Sequence, residues 1–172
     1  MRNGLRDRLK QMYNIELIDP QYVNTLHIIY SRLEDKEIQW VITGSMGMVL
    51  HGMDLDIHDI DIQTDEQDAY KFEKLFSEYI VTPVYYWVSE RIRSHFGSLN
   101  IGNVNVEIMG GMQKFLPDQV WEDPVNIQQY REWVTFEGMN LPVLSLDYEH
   151  QAYLALGRHE KAEKIRRWLA NQ

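Results

Sequence analysis

The sequence predicts a single compact α/β domain that ends in helices, and three observations support this fold class. Short apolar runs typical of buried strands alternate along the chain with segments whose apolar residues recur at helical spacing. The apolar content of 44% and the aromatic content of 12% are those of a globular protein. The 172 residues contain no internal repeat, low-complexity tract or linker, so we expect one domain over residues 1–172.

Two amphipathic helices are predicted before the first strand. The first covers about residues 2–13, and the second opens at Asp19-Pro20, because aspartate is a favoured cap and proline is tolerated in a first turn. The apolar residues at helical spacing are Leu5, Leu9 and Met12 in the first helix and Val23, Leu26, Tyr30 and Leu33 in the second.

A nearly all-apolar strand over residues 38–43 leads directly into the pair Gly44-Ser45, and a short helix ended by Gly52 follows. The pair has two interpretations. It is either an ordinary strand-to-helix turn with Ser45 as the N-cap, or a turn that binds an anion. In the second case glycine lets the backbone approach phosphate oxygens and the serine hydroxyl adds a donor.

Two acids one residue apart define the next strand. Because side chains alternate along a strand, Asp59 and Asp61 point to one side while Ile60 and Ile62 point into the core. Two neighbouring carboxylates repel each other unless a cation lies between them. The hard ion Mg²⁺, which binds carboxylates and phosphate oxygens, is the expected occupant.

Asp54 and Asp56 form a competing pair with the same alternation. The later pair is preferred because its strand continues to Thr64, whereas Gly52 leaves little room for a turn before Asp54. A calcium loop is not indicated, since the segment lacks the glycine and the polar interleaving residues that such a loop needs.

The middle of the chain predicts a helix, a strand and a hairpin. Apolar spacing indicates a helix over residues 66–79 entered at Asp65, followed by a strand over 80–87. A hairpin over 98–101 and 104–109 turns at Gly102-Asn103, and Gly110-Gly111 is expected to end it. On its second arm Glu107 faces away from the apolar residues, so it is either a functional acid or a solvated hairpin residue.

The last third predicts a further hairpin and two helices. Residues 112–130 show no regular pattern, and the hairpin covers 133–136 and 139–143. Ser145 is the expected cap of a helix over 146–156 that Gly157 ends. The final helix covers 159–170 and packs through Ala162, Ile165 and Leu169.

Charge and composition restrict the partners. The net charge of −9 disfavours an extended nucleic acid, because such ligands are bound by clustered lysine and arginine. No apolar run approaches the roughly 18 residues that a membrane span needs, and the charged start is not a signal peptide. The absence of cysteine fits a cytoplasmic protein. No P-loop, zincin or nucleophile-elbow motif is present.

The order of Gly44-Ser45, Asp59-Ile60-Asp61 and Val106-Glu107-Ile108 resembles the nucleotidyltransferase superfamily related to DNA polymerase beta, including small prokaryotic members similar to the minimal and antibiotic-modifying enzymes. The resemblance is strongest over residues 40–109. It implies a mixed β-sheet with helices packed mainly on one side, a catalytic core at about 38–110 and C-terminal helices at about 145–170. It also implies transfer of a nucleoside monophosphate from a triphosphate to a hydroxyl, with release of pyrophosphate.

The resemblance also assigns expected roles to site residues. Asp59, Asp61 and Glu107 would be the catalytic acids and the ligands of two Mg²⁺ ions. A nucleoside triphosphate, expected to be ATP, would be bound by Gly44, Ser45, Arg158 and Lys161. Second-choice basic candidates are Arg91, Arg93 and His95, and His58 is a candidate to brace the site. For all of these basic residues a solvated or ion-paired surface position is an equally good interpretation.

The expected acceptor is a small molecule or a protein, and the oligomeric state is not predicted. The alternative function is a catalytically silent nucleotide-binding or regulatory protein, antitoxin-like, with the same fold. A purely structural interaction module is a weaker hypothesis, because it leaves the acids that share one face unexplained.

Overall fold

A computed structural model describes residues 18–172, which form a seven-stranded β-sheet and five α-helices. The strands are β1 Trp40–Thr43, β2 Ile60–Thr64, β3 Ile80–Val88, β4 Ile92–Ile101, β5 Val104–Lys114, β6 Arg131–Phe136 and β7 Met139–Leu144. The helices are α1 Pro20–Leu33, α2 Gly44–Leu50, α3 Glu66–Leu75, α4 Leu146–Ala155 and α5 His159–Leu169, and a 3₁₀ turn spans Ser77–Tyr79. The helix predicted over residues 2–13 lies outside the described residues.

The strands lie in the order β3-β4-β5-β2-β1-β7-β6, and the sheet is mixed. At its centre β2 runs antiparallel to β1 and parallel to β5, and β1 runs parallel to β7. Asp61 is the register partner of Glu107 on β5 and of Thr43 on β1. The predicted α/β class with a mixed sheet and C-terminal helices is therefore confirmed.

Alternation along the central strands separates the two faces of the sheet. Ile60 and Ile62 of β2 are fully buried, and they belong to the main core with residues of α1 and α3. On β1, Ile42 faces the same core, whereas Val41 packs on the opposite face in a smaller cluster that includes Tyr148 of α4. Helices α1 and α3 thus cover one face, and α4 covers only part of the other.

Several predicted boundaries are confirmed by the local hydrogen bonding. The Asp19 carboxylate caps α1 by accepting from the backbone nitrogen of Gln21 at 2.9 Å. The Ser145 hydroxyl caps α4 by accepting from the nitrogen of Tyr148 at 3.3 Å. After α4, Gly157 has a φ of +70°, the left-handed conformation that glycine accepts most easily at the end of a helix.

Other predicted boundaries are wrong. Strand β4 begins at Ile92 rather than at residue 98. The helix predicted over 66–79 stops at Leu75 and continues only as a 3₁₀ turn. Strand β3 does span the predicted region, with register shifts between Ile80 and Thr82 and between Thr82 and Tyr85. The second shift contains Pro83, which lacks the backbone donor of a regular ladder.

Gly110 and Gly111 do not end β5 as predicted, since the strand continues to Lys114. The reason is the close approach of α3. A Cβ atom on Gly110 would lie 2.6 Å from the Cβ of Ala69, and one on Gly111 would lie 3.2 Å from the Cβ of Glu66. The two glycines are therefore spacers that allow the helix to pack on the strand.

No helix of residues 18–172 is long and apolar enough to cross a membrane.

Replacing Gly110 with alanine should destabilise the protein by about 1–3 kcal/mol, because the added methyl group overpacks the contact between β5 and α3. Chemical denaturation of the purified variant measures the loss. Gly138→Ala is the control, because a Cβ at this turn position meets nothing within 4 Å and only its φ of +76° adds strain. A loss for Gly110→Ala no larger than that for Gly138→Ala would contradict this account of the glycine.

Candidate active site

Three acidic side chains converge at one edge of the central strands. Asp59 directly precedes β2, Asp61 lies on β2 and Glu107 lies opposite Asp61 on β5. One carboxylate oxygen from each of the three lies within 4.8 Å of the others. Among residues 18–172 this is the one group of three or more potential metal ligands, and the competing pair Asp54 and Asp56 belongs to no such group.

The electrostatics of this cluster are those of an uncompensated anionic site. Burial raises the pKa of Asp61 from its ordinary 3.8 to about 7, and the nearby carboxylates of Asp59 and Glu107 add to the effect. Burial also raises the pKa of Glu107, again with a contribution from Asp59. Because three closely spaced oxygen ligands suit a hard divalent cation, the donor set fits Mg²⁺.

The turn between β1 and α2 is built against this cluster. Gly44 has a φ of +66°, and a Cβ atom there would collide with the Asp61 carboxylate, so both backbone conformation and space require glycine. Ser45 is not the N-cap, because α2 already begins at Gly44 and has no side-chain cap. The hydroxyl of Ser45 instead belongs to the lining of the neighbouring pocket.

Glu149 of α4 holds the turn between β1 and α2 by hydrogen bonds, and this role was not predicted from the sequence. This carboxylate is buried; it accepts a hydrogen bond from the Thr43 hydroxyl and another from the Gly44 nitrogen at 3.0 Å. Burial raises the pKa of Glu149. The available signal was the helical spacing of Leu146, Glu149 and Tyr153, which places an acid within an apolar stripe.

A pocket of about 480 Å³ opens beside the three acids and is called the basic pocket here. Its basic residues are Arg158, at the start of α5, and Lys161 and Lys164 on α5 itself. Within the described part of the chain none of these three side chains forms a salt bridge. The other polar lining residues are Ser45, Asp56, His58, Asp59, Asp61 and Glu107.

The two sequence candidates on α5 therefore lie at the acids, and Lys164 is an additional one. Lys161 is close enough to Asp61 to oppose the increase in its pKa, and its Nζ lies 5.3 Å from the centre of the Tyr153 ring. Lys164 could have been found from sequence, since it lies three residues after Lys161 and thus on the same side of a helix.

The second-choice basic residues lie elsewhere. Arg91 donates to the backbone oxygen of Leu156 at 3.1 Å. Arg93 donates to Gln113 at 3.0 Å and lies over the ring of Trp121. His95 pairs with the Tyr70 hydroxyl at 2.8 Å. None of Arg91, Arg93 and His95 lines the basic pocket, whereas His58 does.

Comparisons with known proteins agree with this geometry. The sequence model of the aminoglycoside-2''-adenylyltransferase family matches residues 25–168. A solved structure described as that of a candidate nucleotidyltransferase from Thermotoga maritima is 49% identical, with a TM-score of 0.80 over 91% of this chain and 97% of that chain. None of the curated proteins matches.

Two solved antibiotic-modifying enzymes share the fold at low identity. The lincosamide antibiotic adenylyltransferase LnuA, bound to lincomycin, is 16% identical with a TM-score of 0.53 over 86% of this chain and 96% of that chain. The enzyme ANT(2'')-Ia, in complex with adenylyl-2''-tobramycin, is 14% identical with a TM-score of 0.56 over 86% of this chain and 89% of that chain.

The raised pKa of Asp61 predicts a pH-dependent cost of folding. The folded protein binds this proton more tightly than the unfolded chain, so stability in the absence of metal falls as pH rises from 3.8 to about 7. Asp61→Asn removes the ionisation and should stabilise the metal-free protein at about pH 8 by on the order of 1–3 kcal/mol, with much less effect below about pH 4. Melting temperatures measured in a chelator at both pH values check this.

Glu149→Ala should cost about 2–4 kcal/mol of folding stability, because it leaves the Thr43 hydroxyl and the Gly44 nitrogen buried without an acceptor. Glu149→Gln keeps one acceptor oxygen in place and should cost clearly less. Urea denaturation of both variants checks the order. Equal losses would indicate that the carboxylate charge, and not the two hydrogen bonds, is what matters.

Proposed function

This chain belongs to the aminoglycoside-2''-adenylyltransferase family, and on that premise we propose that it transfers the adenylyl group of ATP to a hydroxyl of a small molecule and releases pyrophosphate. The protein is a nucleotidyltransferase by family; the nucleotide and the acceptor class are the proposed part. The observation that carries the proposal is the convergence of Asp59, Asp61 and Glu107 beside a pocket with three basic residues that form no salt bridge within residues 18–172.

The acids are proposed to hold two Mg²⁺ ions. When bound, these ions would supply Lewis acidity to the attacking oxygen and neutralise charge on the triphosphate. Asp59 and Asp61, held by β2 and its immediate N-terminal end, would be ligands of these ions. Glu107 either completes the second ion's ligands or accepts the proton of the acceptor hydroxyl, a role for which a raised pKa is suited.

The basic pocket is proposed to bind the triphosphate. Ser45 lines this pocket and offers a hydroxyl donor, and Gly44 lets the turn lie directly against the Asp61 carboxylate. Arg158, Lys161 and Lys164 would offset the charge of the β- and γ-phosphates. We propose residues 1–172 as one catalytic unit, in which the core at about 38–110 would provide the acids and the C-terminal helices at about 145–170 would provide the positive charge.

The acceptor is proposed to be a small molecule. A net charge of −9 disfavours an extended nucleic acid, because such a ligand is bound by clustered lysine and arginine. A protein acceptor is the second candidate. The alternative function, a silent nucleotide-binding regulator, requires binding without transfer, and the complete set of three acids is the observation against it.

The first test is metal-dependent nucleotide binding. Calorimetry with a non-hydrolysable ATP analogue should show binding at least about tenfold tighter with Mg²⁺ than with a chelator. Asp59→Ala and Asp61→Ala should remove this Mg²⁺ dependence and lower any transfer to an alcohol acceptor by about 10³-fold or more. The matched control is Asp54→Ala, which removes an acid of the competing pair and should leave binding unchanged.

The outcomes separate the two functions. Loss of Mg²⁺ dependence in Asp54→Ala but not in Asp61→Ala would indicate that Asp54 and Asp56, and not Asp59 and Asp61, bind the metal. Nucleotide binding that ignores Mg²⁺ in the wild-type protein would favour the silent regulator over the enzyme.

A further inference from the structure

A second pocket meets the basic pocket at the acidic cluster. It has a volume of about 250 Å³ and shares Asp61, Glu107 and Arg158 with the basic pocket. The rest of its lining differs sharply, because large apolar and aromatic side chains replace the lysines, and we call it the apolar pocket. Its characteristic lining residues are Trp87, Phe96, Met109, Met112, Tyr153 and Leu156.

The proposed reaction needs two spaces that meet at the acids. In phosphoryl and nucleotidyl transfer the attacking and leaving oxygens lie roughly in line on opposite sides of the phosphorus. The pyrophosphate and the acceptor must therefore occupy separate regions. Since the lysines make the basic pocket suitable for the anionic pyrophosphate, the apolar pocket, which meets it at Asp61 and Glu107, is the neighbouring space suited to the acceptor.

We propose that the apolar pocket binds the acceptor, and that the acceptor is a hydroxyl compound with a flat or branched apolar portion and without several positive charges. This inference rests on the proposed nucleotidyl transfer. It assigns this chain an acceptor class that differs from the polycationic aminoglycosides named in the family description.

The charges that line the apolar pocket favour this class. Three carboxylates touch it, but Asp61 and Glu107 belong to the proposed cation site. The third, Glu149, is buried and already accepts hydrogen bonds from the Thr43 hydroxyl and the Gly44 nitrogen. Both of these bonds are accepted by Oε1, but Glu149 is only 5% exposed, and the remaining charged residue, Arg158, is positive. Outside the proposed cation site the lining therefore offers no exposed carboxylate to pair with an ammonium group of an acceptor.

A buried amide oxygen in the lining of the apolar pocket indicates that a hydrogen-bond donor of a bound ligand is expected beside it. Gln63 lies two residues after Asp61, so it shares the face of β2 that points into the apolar pocket. Its side chain is 5% exposed, and its amide oxygen has no hydrogen-bond partner among residues 18–172. An unpaired buried acceptor is costly, and a hydroxyl or N–H group of a bound acceptor would satisfy it.

The size of the apolar pocket also limits the acceptor. Pockets that enclose drug-sized ligands have volumes of roughly 300–1,000 Å³. At about 250 Å³ this one accommodates a single ring with its substituents, rather than a multi-ring molecule. Any larger acceptor would extend past Trp87, which lies on the edge strand β3 and is 38% exposed.

Methionine methyl groups provide a separate reporter for each pocket. Met48 lines the basic pocket, and Met109 and Met112 line the apolar pocket. In protein labelled with ¹³C at the methionine methyl groups, a non-hydrolysable ATP analogue with Mg²⁺ should shift the Met48 signal. Added 2-phenylethanol at millimolar concentration should shift Met109 and Met112, with or without the nucleotide. Tobramycin at the same concentration should shift neither.

Trp87→Ala tests the apolar wall directly. It should weaken the response of Met109 and Met112 to 2-phenylethanol by about threefold or more, because it removes an aromatic contact from the pocket. Trp133→Ala is the matched control, since Trp133 is an exposed tryptophan on β6 at the opposite edge of the sheet. This control should leave the response unchanged.

Each failure has a distinct meaning. The acceptor assignment is overturned if 2-phenylethanol shifts neither Met109 nor Met112, if tobramycin shifts them more strongly, or if the nucleotide itself occupies the pocket and displaces the alcohol. A Met48 signal that ignores the Mg²⁺-nucleotide would instead contradict the proposed function, whatever the other two methionines report.

Discussion

The candidate site depends on the parallel pairing of β2 with β5. This pairing places Asp61 directly opposite Glu107, and Asp59 lies one step outside the same strand. Three carboxylates within 4.8 Å of one another repel, and this repulsion adds to the effect of burial in raising the pKa of Asp61 to about 7. The pairing is stabilised by the apolar residues on the opposite face of the same two strands. Ile60 and Ile62 of β2 are fully buried in the main core together with Val106 and Ile108 of β5.

The packing on the two sides of the sheet explains why the site lies where it does. One face is closed by α1 and α3, and the glycines of β5 let α3 approach closely enough to exclude water. The other face is covered only in part, by α4, which places Glu149 behind the Gly44 turn. The polar groups of the candidate site can collect on this second face because solvent still reaches it there.

The sequence was sufficient to name the acids and the turn, because both are local patterns. Alternation around Ile60 and Ile62 is readable within a few residues, and Gly44-Ser45 follows a short apolar strand. Contacts between distant segments were not readable. The bond from Thr43 to Glu149 joins residues 106 positions apart, and the role of Gly110 as a spacer depends on the approach of α3. A lone sequence contains no measure of such distances.

The acidic cluster lies between a basic pocket and an apolar pocket, and this separation of charged and apolar side chains favours group transfer. The chain has a net charge of −9, yet Lys161 and Lys164 line the pocket on one side of the acidic cluster, and aromatic side chains with Met109 and Met112 line the pocket on the other, while Arg158 borders both. A site that only held a metal ion would need neither the basic lining nor the apolar lining. A site that transfers a nucleotidyl group from an anionic leaving group to a neutral acceptor needs both, because positive charge binds the pyrophosphate that is released and apolar side chains bind the acceptor that receives the nucleotidyl group. The asymmetry around Asp61 and Glu107 is therefore a stronger indication of group transfer than the acids alone.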